Sequence, residues 1–257
     1  MSDALLQARG LTKRYGARLA CADISFDLDP GEVLAIVGES GSGKSTLLSL
    51  IATELAPDAG TVSYRMRDGV MRDLAGLSKA ERRALMRTDW GFVRQDATQG
   101  LRMAVSAGGN VGERLMGLGE RHYGQIRAQA IDWLDRVEIA ADRIDDPPTR
   151  FSGGMRQRLQ IARNLVTTPR LVLMDEPTSG LDVSVQARLL DLIRRLVAEL
   201  GLAVIIVTHD LAVARLLSHR VMVMRAGRVV ETGLTDQVLD DPADAYTQLL
   251  VSSVLAA

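Results

Sequence analysis

The first part of the chain alternates short apolar runs with polar turns. Residues 20–28 alternate apolar and polar side chains, which predicts a strand with one buried face. Residues 29–31 (Asp-Pro-Gly) predict a turn, and the apolar run 32–37 predicts a strand in the core of a sheet. A glycine-rich loop then leads into residues 45–55, where helical spacing of the apolar residues predicts a helix.

The middle of the chain, from about residue 96 to 150, has a helical pattern instead. In residues 125–137 the apolar side chains fall on one helical face. They are Ile126, Ala130, Trp133, Leu134 and Val137. Pro147 and Pro148 end this stretch, because proline cannot continue a helix.

Strand–helix alternation returns in the last part. Residues 171–174 and 203–207 predict buried strands, and residues 184–200 predict an amphipathic helix between them. Alternating β and α units favour an α/β fold with a mostly parallel sheet and helices on both faces. The middle stretch is then an all-helical insertion.

Composition narrows the class of protein. The chain has 257 residues, of which 47% are apolar and 25% charged, as is typical of a globular protein. Its formal net charge of -1 argues against nucleic acid as a partner, since such proteins usually carry a basic excess. Cys21, the only cysteine, excludes an intrachain disulfide and is interpreted as a small buried apolar residue.

The longest apolar runs, 171–174 and 202–207, are much shorter than the roughly 20 residues of a membrane-spanning helix. Residues 1–4 lack the basic flank and apolar core of a signal sequence. We therefore expect a cytoplasmic protein without direct membrane insertion, attached to a membrane through a partner if at all.

One motif carries phosphate chemistry. The segment after the predicted strand 32–37 fits G-x-x-x-x-G-K-[ST] and precedes a predicted helix, which is the context that the motif requires. The predicted phosphate-binding residues are Gly38, Glu39, Ser40, Gly41, Ser42, Gly43, Lys44, Ser45 and Thr46.

The residue types of this loop fit a nucleotide. Glycines let backbone N–H groups turn toward phosphate oxygens, and the helix N-terminus adds a positive dipole end. Lys44 supplies a point charge for the β- and γ-phosphates, and the Ser45 hydroxyl is a ligand for Mg²⁺. We therefore expect ATP and Mg²⁺ at this loop.

A second motif follows the predicted strand 171–174, which ends in Asp175 and Glu176. An aspartate at a strand end holds Mg²⁺ in phosphate-loop enzymes, and the next carboxylate is placed to activate water. Many strands end in acidic residues simply because the chain reaches the surface there. The presence of the phosphate loop is what favours a catalytic role for this pair.

A third motif, Ser152-Gly153-Gly154, stands where helical spacing begins. Serine is a preferred N-cap, and the N–H groups at a helix start form an anion site. From these residues alone, a simple helix cap and an anion site both remain open.

These motifs occur in an order that resembles the ABC ATPase family. The phosphate loop, Ser152-Gly153-Gly154, Asp175-Glu176, residues 179–182 (Ser-Gly-Leu-Asp) and a lone His209 follow one another along the chain. The resemblance implies a P-loop fold with a mixed, partly parallel sheet core, an antiparallel β part and an inserted helical subdomain. It implies one ABC ATP-binding domain over 1–257, with a catalytic core of 1–95 and 165–257 and a helical subdomain of 96–164.

The resemblance also implies a role for each matching residue. Tyr15 looks like the aromatic that stacks on adenine, and Gln95 like the glutamine that senses Mg²⁺ and the attacking water. His209 looks like the histidine that contacts the γ-phosphate, although a lone histidine is more often structural, and Asp182 looks like the residue that communicates across a dimer. Catalysis then falls to Glu176, His209 and Gln95.

The resemblance further implies the remaining ligands. The metal ligands would be Ser45, Gln95 and Asp175. The bound nucleotide would also contact Tyr15, Asp182 and the Ser152, Gly153 and Gly154 segment of a second chain.

Four segments resemble the ATP-binding proteins of bacterial phosphonate carbon–phosphorus lyase systems. They are residues 105–116, 121–124, 143–146 and 246–255. This resemblance implies a subunit that docks on a carbon–phosphorus lyase core as a dimer with a second ABC ATPase chain, most simply a homodimer.

Three function classes remain open. The favoured one is an accessory ATPase of a phosphonate-degrading complex, and the second is the motor of an oligopeptide-, nickel- or phosphonate-type importer. The third, an ABC protein acting on nucleic acid, lacks the expected basic excess. The first two share every candidate catalytic residue.

Overall fold

The computed structural model describes residues 4–255. Residues 1–3 and 256–257 of the predicted domain 1–257 lie outside the described residues, and so do three of the four residues 1–4 that were compared with a signal sequence. Within residues 4–255 the chain forms ten strands and ten helices, besides short 3₁₀ turns. The strands are β1 (Leu6–Tyr15), β2 (Arg18–Leu28), β3 (Val33–Val37), β4 (Ala59–Arg65), β5 (Met71–Asp73), β6 (Trp90–Val93), β7 (Leu171–Asp175), β8 (Ala203–Thr208), β9 (Arg220–Arg225) and β10 (Arg228–Leu234). The helices are α1 (Lys44–Ile51), α2 (Lys79–Thr88), α3 (Ala97–Gly100), α4 (Ala107–Gly117), α5 (Tyr123–Arg136), α6 (Gly153–Leu165), α7 (Val183–Leu200), α8 (Leu211–Leu217), α9 (Thr235–Asp240) and α10 (Ala245–Leu255). No helix in this range is long and apolar enough to span a bilayer.

The chain divides into two compact units. The described parts of Met1–Lys79 and Gly201–Ala257 form the first unit, and Ala80–Leu200 forms the second. The predicted helical subdomain, 96–164, falls inside the second unit, which also holds β6, β7 and α7. The division into a catalytic core and a helical subdomain stays a prediction.

The first unit contains both the parallel and the antiparallel strand pairing that the resemblance to ABC ATPases implies. Strands β2, β1, β4 and β5 form an antiparallel sheet in that order. Strand β3 pairs in parallel with β8 on one side and β9 on the other, and β10 closes this part as an antiparallel hairpin with β9. Parallel pairing places the ends of β3 and β8 at one edge, where the next loops begin.

Strand β3 is the centre of this parallel part. All five of its residues are buried, as are all six of β8, so both strands are covered on both faces. The predicted strand 20–28 is confirmed within β2, where Ile24, Phe26 and Leu28 are buried on one side. The turn predicted at residues 29–31 is also confirmed, with Gly31 at φ +75° and the Glu32 N–H donating to the Asp29 carbonyl at 3.1 Å.

One predicted helix boundary is wrong. The pattern predicts a helix over residues 45–55, but α1 ends at Ile51. Thr53 adopts the left-handed conformation at φ +56°, and the N–H of Glu54 bonds back to the Ser49 carbonyl. Apolar spacing continues past the helix end, so periodicity alone places the boundary too late.

The second unit is built around β6 and β7, which pair in parallel, and six helices from α2 to α7, of which α2 begins one residue before the unit. The helix predicted over residues 125–137 is confirmed as α5, and its predicted face packs inward with Ala130, Trp133 and Leu134 buried. Strand β7 is apolar and buried until its last residue, Asp175, so the chain reaches the surface where the acidic pair stands.

Candidate functional site

The glycine-rich loop leaves the buried end of β3 and turns back into α1. Lys44, the first residue of α1, is 5% exposed. Its Nζ donates hydrogen bonds to the carbonyl oxygens of Gly38 at 2.8 Å and Glu39 at 2.9 Å. The loop therefore folds around its own lysine, and the ammonium group is fixed at the centre of the loop.

Two positions of the loop accept only glycine. Gly38 has φ +147°, and a Cβ there would lie 2.1 Å from the carbonyl oxygen of Met224. Gly43 has φ +108°, and a Cβ there would lie 2.1 Å from the carbonyl oxygen of Ala20. The loop thus needs glycine both for its backbone shape and for its close approach to β2 and β9.

Neighbouring segments of the first unit hold the loop from outside. The Arg18 guanidinium donates to the Gly41 carbonyl at 2.7 Å, and the Gly227 N–H donates to the Ser42 carbonyl at 2.8 Å. Sequence reasoning missed both contacts. The available signal for Arg18 was a cation three residues after Tyr15, in the hairpin that precedes the loop.

The loop fits a phosphate group on its own geometry. Within the described residues, the Ser42 Oγ is buried and makes no hydrogen bond. A buried hydroxyl without a hydrogen-bond partner costs folding free energy, and a phosphate oxygen of a ligand would supply that partner. The positive dipole end of α1 and the Lys44 ammonium add the charge that a phosphate requires.

Tyr15 and His209 also lie in the first unit. Tyr15 ends β1 at the tip of the β1–β2 hairpin and is 51% exposed, so its ring is accessible. His209 follows β8, is exposed, and precedes Asp210, whose carboxylate caps α8 by accepting the Ala212 N–H at 2.8 Å. Since β8 pairs in parallel with β3, His209 stands at the same sheet edge as the phosphate loop.

The acidic pair lies in the second unit at the end of β7. Asp175 and Glu176 are both half-buried. Glu176 has φ +43°, a left-handed conformation that is uncommon for a residue with a Cβ. Its carbonyl accepts the Ser179 N–H at 3.0 Å, so a turn begins at Glu176 itself.

Gln95 is brought to the same turn. It follows β6, the parallel neighbour of β7, and its Nε2 donates to the Ser179 Oγ at 3.1 Å. The structure thus joins two of the motifs that the sequence presents separately. The role of Gln95 with metal and water stays a prediction.

Ser152-Gly153-Gly154 forms the start of α6, as predicted. The Ser152 Oγ accepts the Met155 N–H at 3.3 Å, and Ser152 and Gly153 are exposed. Gly154 differs, because it is buried and a Cβ there would lie 2.5 Å from Cγ1 of Val185. The segment is therefore a helix cap in the isolated chain, with Gly154 also required for packing against α7.

Asp182 performs a structural role in the isolated chain. Its carboxylate accepts hydrogen bonds from the Val185 N–H at 3.0 Å and the Ser184 hydroxyl at 2.8 Å, which caps α7. These bonds, from Val185 first and then Ser184, lower the pKa of Asp182 below its ordinary value. Communication across a dimer by Asp182 stays a prediction.

The predicted metal ligands suit Mg²⁺ bound together with a nucleotide, rather than a metal whose ligands are all protein side chains. Ser45, Gln95 and Asp175 offer one hydroxyl, one amide and one carboxylate oxygen. Within residues 4–255 no group of three His, Cys, Asp or Glu side chains is arranged to hold a metal. Mg²⁺ is usually bound by one or two carboxylates together with substrate phosphates and water, so this oxygen-donor set fits it.

Cys21 is buried beside the loop, in agreement with its interpretation as an apolar residue. It is 0% exposed, and its Sγ lies 3.8 Å from the Gly43 carbonyl oxygen. Burial raises the pKa of the thiol to about 12, so the reactive thiolate is not populated at neutral pH.

Comparison with known sequences gives one family and many relatives. The family described as ABC transporter matches residues 21–179. The putative phosphonates utilization ATP-binding protein PhnK of Escherichia coli is 64% identical over 255 residues, covering 99% of each chain. A putative peptide import ATP-binding protein of Brucella ovis is 37% identical over 265 residues, covering 97% of this chain and 77% of the relative.

Solved structures agree with this family. A dimeric structure of a post-hydrolysis state of the ATP-binding cassette MJ0796, bound to ADP and Pi, matches with a TM-score of 0.79 and 29% identity. The match covers 90% of this chain and 98% of that one. The cbiO1 protein of Clostridium perfringens, part of the ABC transporter complex cbiONQ, matches with a TM-score of 0.78 and 28% identity over 98% of both chains.

Proposed function

Because this chain belongs to the ABC transporter family and is an ATPase of that class, we propose that it is the ATP-hydrolysing subunit of a phosphonate carbon–phosphorus lyase system. In this role it acts as an ATP-driven dimer on the lyase core during the catabolism of organic phosphonates. The observation that carries the proposal is the 64% identity, over 99% of both chains, to a protein named for phosphonate utilization. The proposal places ATP hydrolysis by this chain in the cytoplasm.

Nucleotide binding falls to the first unit in this proposal. The exposed ring of Tyr15 stacks on the adenine base, and the loop from Gly38 to Thr46 takes the phosphates. Lys44 supplies a point charge, and the Ser42 hydroxyl gains the partner that it lacks among residues 4–255. Mg²⁺, held by Ser45, Gln95 and Asp175, would neutralise phosphate charge and order the phosphate oxygens.

Hydrolysis falls to the carboxylate of Glu176. The left-handed turn at Glu176 fixes the direction in which its Cβ leaves the backbone. In this proposal its carboxylate is the group that orients and deprotonates water. Gln95, held by Ser179, helps to position that water, and His209 contacts the γ-phosphate. Phosphoryl transfer needs positioning and charge more than covalent chemistry, so these polar groups suffice.

The second chain supplies the other half of each site. In the proposed dimer the exposed start of α6, Ser152 and Gly153, faces the ATP held by Lys44 of the partner chain. Helix N-termini favour phosphate, which makes this segment suitable. Support comes from the dimeric, nucleotide-bound state of the similar cassette MJ0796.

The motor of an oligopeptide-, nickel- or phosphonate-type importer is the second candidate. Its support is the 37% identity to a peptide import protein of Brucella ovis. The relative named for phosphonate utilization has the higher identity and is matched over 99% of its length, whereas the peptide import protein is matched over 77% of its length. We therefore favour the lyase system.

Growth on a phosphonate tests the proposal. In a host that carries the lyase genes, this chain is replaced by the Lys44→Ala variant, and growth is measured with methylphosphonate or inorganic phosphate as the sole phosphorus source. We expect loss of growth on methylphosphonate alone, because removing the loop cation weakens ATP binding. Uptake of labelled methylphosphonate into the same cells should remain normal.

The outcome separates the two candidates. Loss of labelled uptake would support a phosphonate-type importer and contradict the lyase assignment. A matched control, Lys79→Ala at the start of α2, makes the same chemical change outside the candidate site and should leave growth unchanged. Normal growth of the Lys44→Ala strain on methylphosphonate would contradict both the lyase assignment and a phosphonate-type importer.

A further inference from the structure

The C-terminal helix of the chain is bound to the phosphate loop. Tyr246, in the first turn of α10, is 4% exposed. Its hydroxyl accepts a hydrogen bond from the backbone N–H of Glu39, the second residue of the loop, at 3.1 Å. The two residues are 207 positions apart in sequence, so this bond joins the end of the first unit to its phosphate loop.

Several contacts fix the ring of Tyr246. The Arg225 guanidinium lies over the ring, 4.7 Å from its centroid. The Asp244 carboxylate accepts the Tyr246 N–H at 2.8 Å, and Glu231 accepts the N–H groups of Ala243 at 2.8 Å and Asp244 at 3.1 Å. The hydroxyl is thus held in place by β9, β10 and the start of α10.

Glu39 connects Tyr246 to the lysine of the phosphate loop. While its N–H bonds to Tyr246, its carbonyl accepts the Lys44 Nζ at 2.9 Å. The Glu39 side chain is exposed, so the backbone of this residue is the part that the structure fixes. A continuous chain of contacts therefore runs from Arg225 through Tyr246 and Glu39 to Lys44.

We infer that Tyr246 is a positioning residue for nucleotide binding. Its hydroxyl holds the first part of the loop in the conformation that places the Lys44 ammonium at the centre, before any nucleotide arrives. Pre-ordering of a binding loop raises affinity because ligand binding no longer has to order it. This inference rests on the proposed function of the phosphate loop.

The Tyr246→Phe variant isolates this effect. It removes the hydroxyl and keeps the buried ring and its contact with Arg225. The loss of one uncharged hydrogen bond weakens binding by roughly threefold to tenfold. Because Tyr246 does not reach the reacting atoms, KM for ATP should rise by that factor while kcat stays the same.

The experiment compares full-length Tyr246→Phe with the unsubstituted chain. Titration calorimetry gives Kd for Mg-ATP, steady-state kinetics give KM and kcat, and hydrogen exchange by NMR reports on the Glu39 amide. The matched control is Tyr123→Phe, which removes a hydroxyl from a 73% exposed ring in the second unit. We expect weaker binding, a higher KM and faster Glu39 exchange in Tyr246→Phe only, with a decrease in unfolding temperature no larger than the loss of one uncharged hydrogen bond gives.

Two results would overturn the inference. One is a Kd for Tyr246→Phe equal to that of the Tyr123→Phe control. The other is a lower unfolding temperature with a lower kcat and unchanged KM, which indicates a role in stability alone. Failure of the underlying function is detected separately, since Lys44→Ala would then bind Mg-ATP as tightly as the unsubstituted chain.

Discussion

Glu176 combines an acidic side chain with an uncommon backbone conformation. Its φ of +43° places it in the left-handed region, which costs a residue with a Cβ roughly 1–3 kcal/mol. The turn that Glu176 begins, closed by the Ser179 N–H, holds it there. Strain of this kind is frequent at functional positions, so the outlier supports the proposed placement of Glu176 beside attacking water.

Replacing Glu176 by glutamine tests its proposed role. The amide keeps the shape of the side chain but cannot accept a proton, so ATP hydrolysis should slow by about 100-fold or more. ATP affinity should stay within about threefold, because the phosphate loop is untouched. Phosphate release and nucleotide titration measure the two quantities.

The matched control is Glu199→Gln, the same chemical change at an exposed position on α7. It should hydrolyse ATP at the original rate. Hydrolysis by Glu176→Gln at the rate of this control would mean that another group activates the water.

The sequence was a better guide to which residues belong to the candidate site than to the contacts that those residues make. The sequence predicted the loop around Lys44 because residues 38–45 match a motif of fixed spacing. It predicted the acidic pair because the pair directly follows the apolar run of β7. It did not predict the bond between Tyr246 and Glu39, since no local pattern links residues 207 positions apart. Nor did it predict the left-handed backbone of Glu176, which the turn to Ser179 imposes.

The start of α7 depends on the ionised carboxylate of Asp182. Its hydrogen bonds with Val185 and Ser184 lower the pKa of Asp182 in the folded chain. A group with a depressed folded pKa stabilises the fold above its unfolded pKa and loses that contribution as pH falls through the folded value. The cap should therefore contribute fully at neutral pH and weaken below about pH 4.

Unfolding at a series of pH values measures this contribution. The Asp182→Ala variant should melt at a lower temperature than the unsubstituted chain at neutral pH, and the difference should shrink on acidification. Asp182→Asn keeps an acceptor for the cap without a charge, so its difference from Asp182→Ala should not change with pH. A difference between Asp182→Ala and the unsubstituted chain that grows on acidification would contradict this account.

Element boundaries were less predictable than element types. The strands β2, β3, β7 and β8 follow directly from alternating or continuous apolar runs. Helix α1 ends early because Thr53 adopts a left-handed conformation, which no glycine or proline in residues 45–55 announces. The resemblance gives Asp182 a role in communication across a dimer, whereas its hydrogen bonds as the cap of α7 are visible only in the structure.

At the scale of the whole molecule, the proposed function needs two chains. Ser152 and Gly153 are exposed at the start of α6, where the Ser152 hydroxyl caps the helix. Their exposed surface is open to a second chain. ATP carries phosphate charge that favours such a helix start, so it can bridge this segment and the Lys44 loop of a partner. Hydrolysis would remove the bridging charge and release the chains.

The most direct test of this account is the mass of the Glu176→Gln protein in solution, measured by light scattering with and without Mg-ATP. Slow hydrolysis should trap the bound state, so we expect the mass to double when Mg-ATP is added. Addition of Ser152→Arg to this variant should keep it monomeric while ATP still binds through Lys44. A protein that stays monomeric with ATP shown to be bound, both alone and with the lyase core, would contradict the ATP-driven dimer.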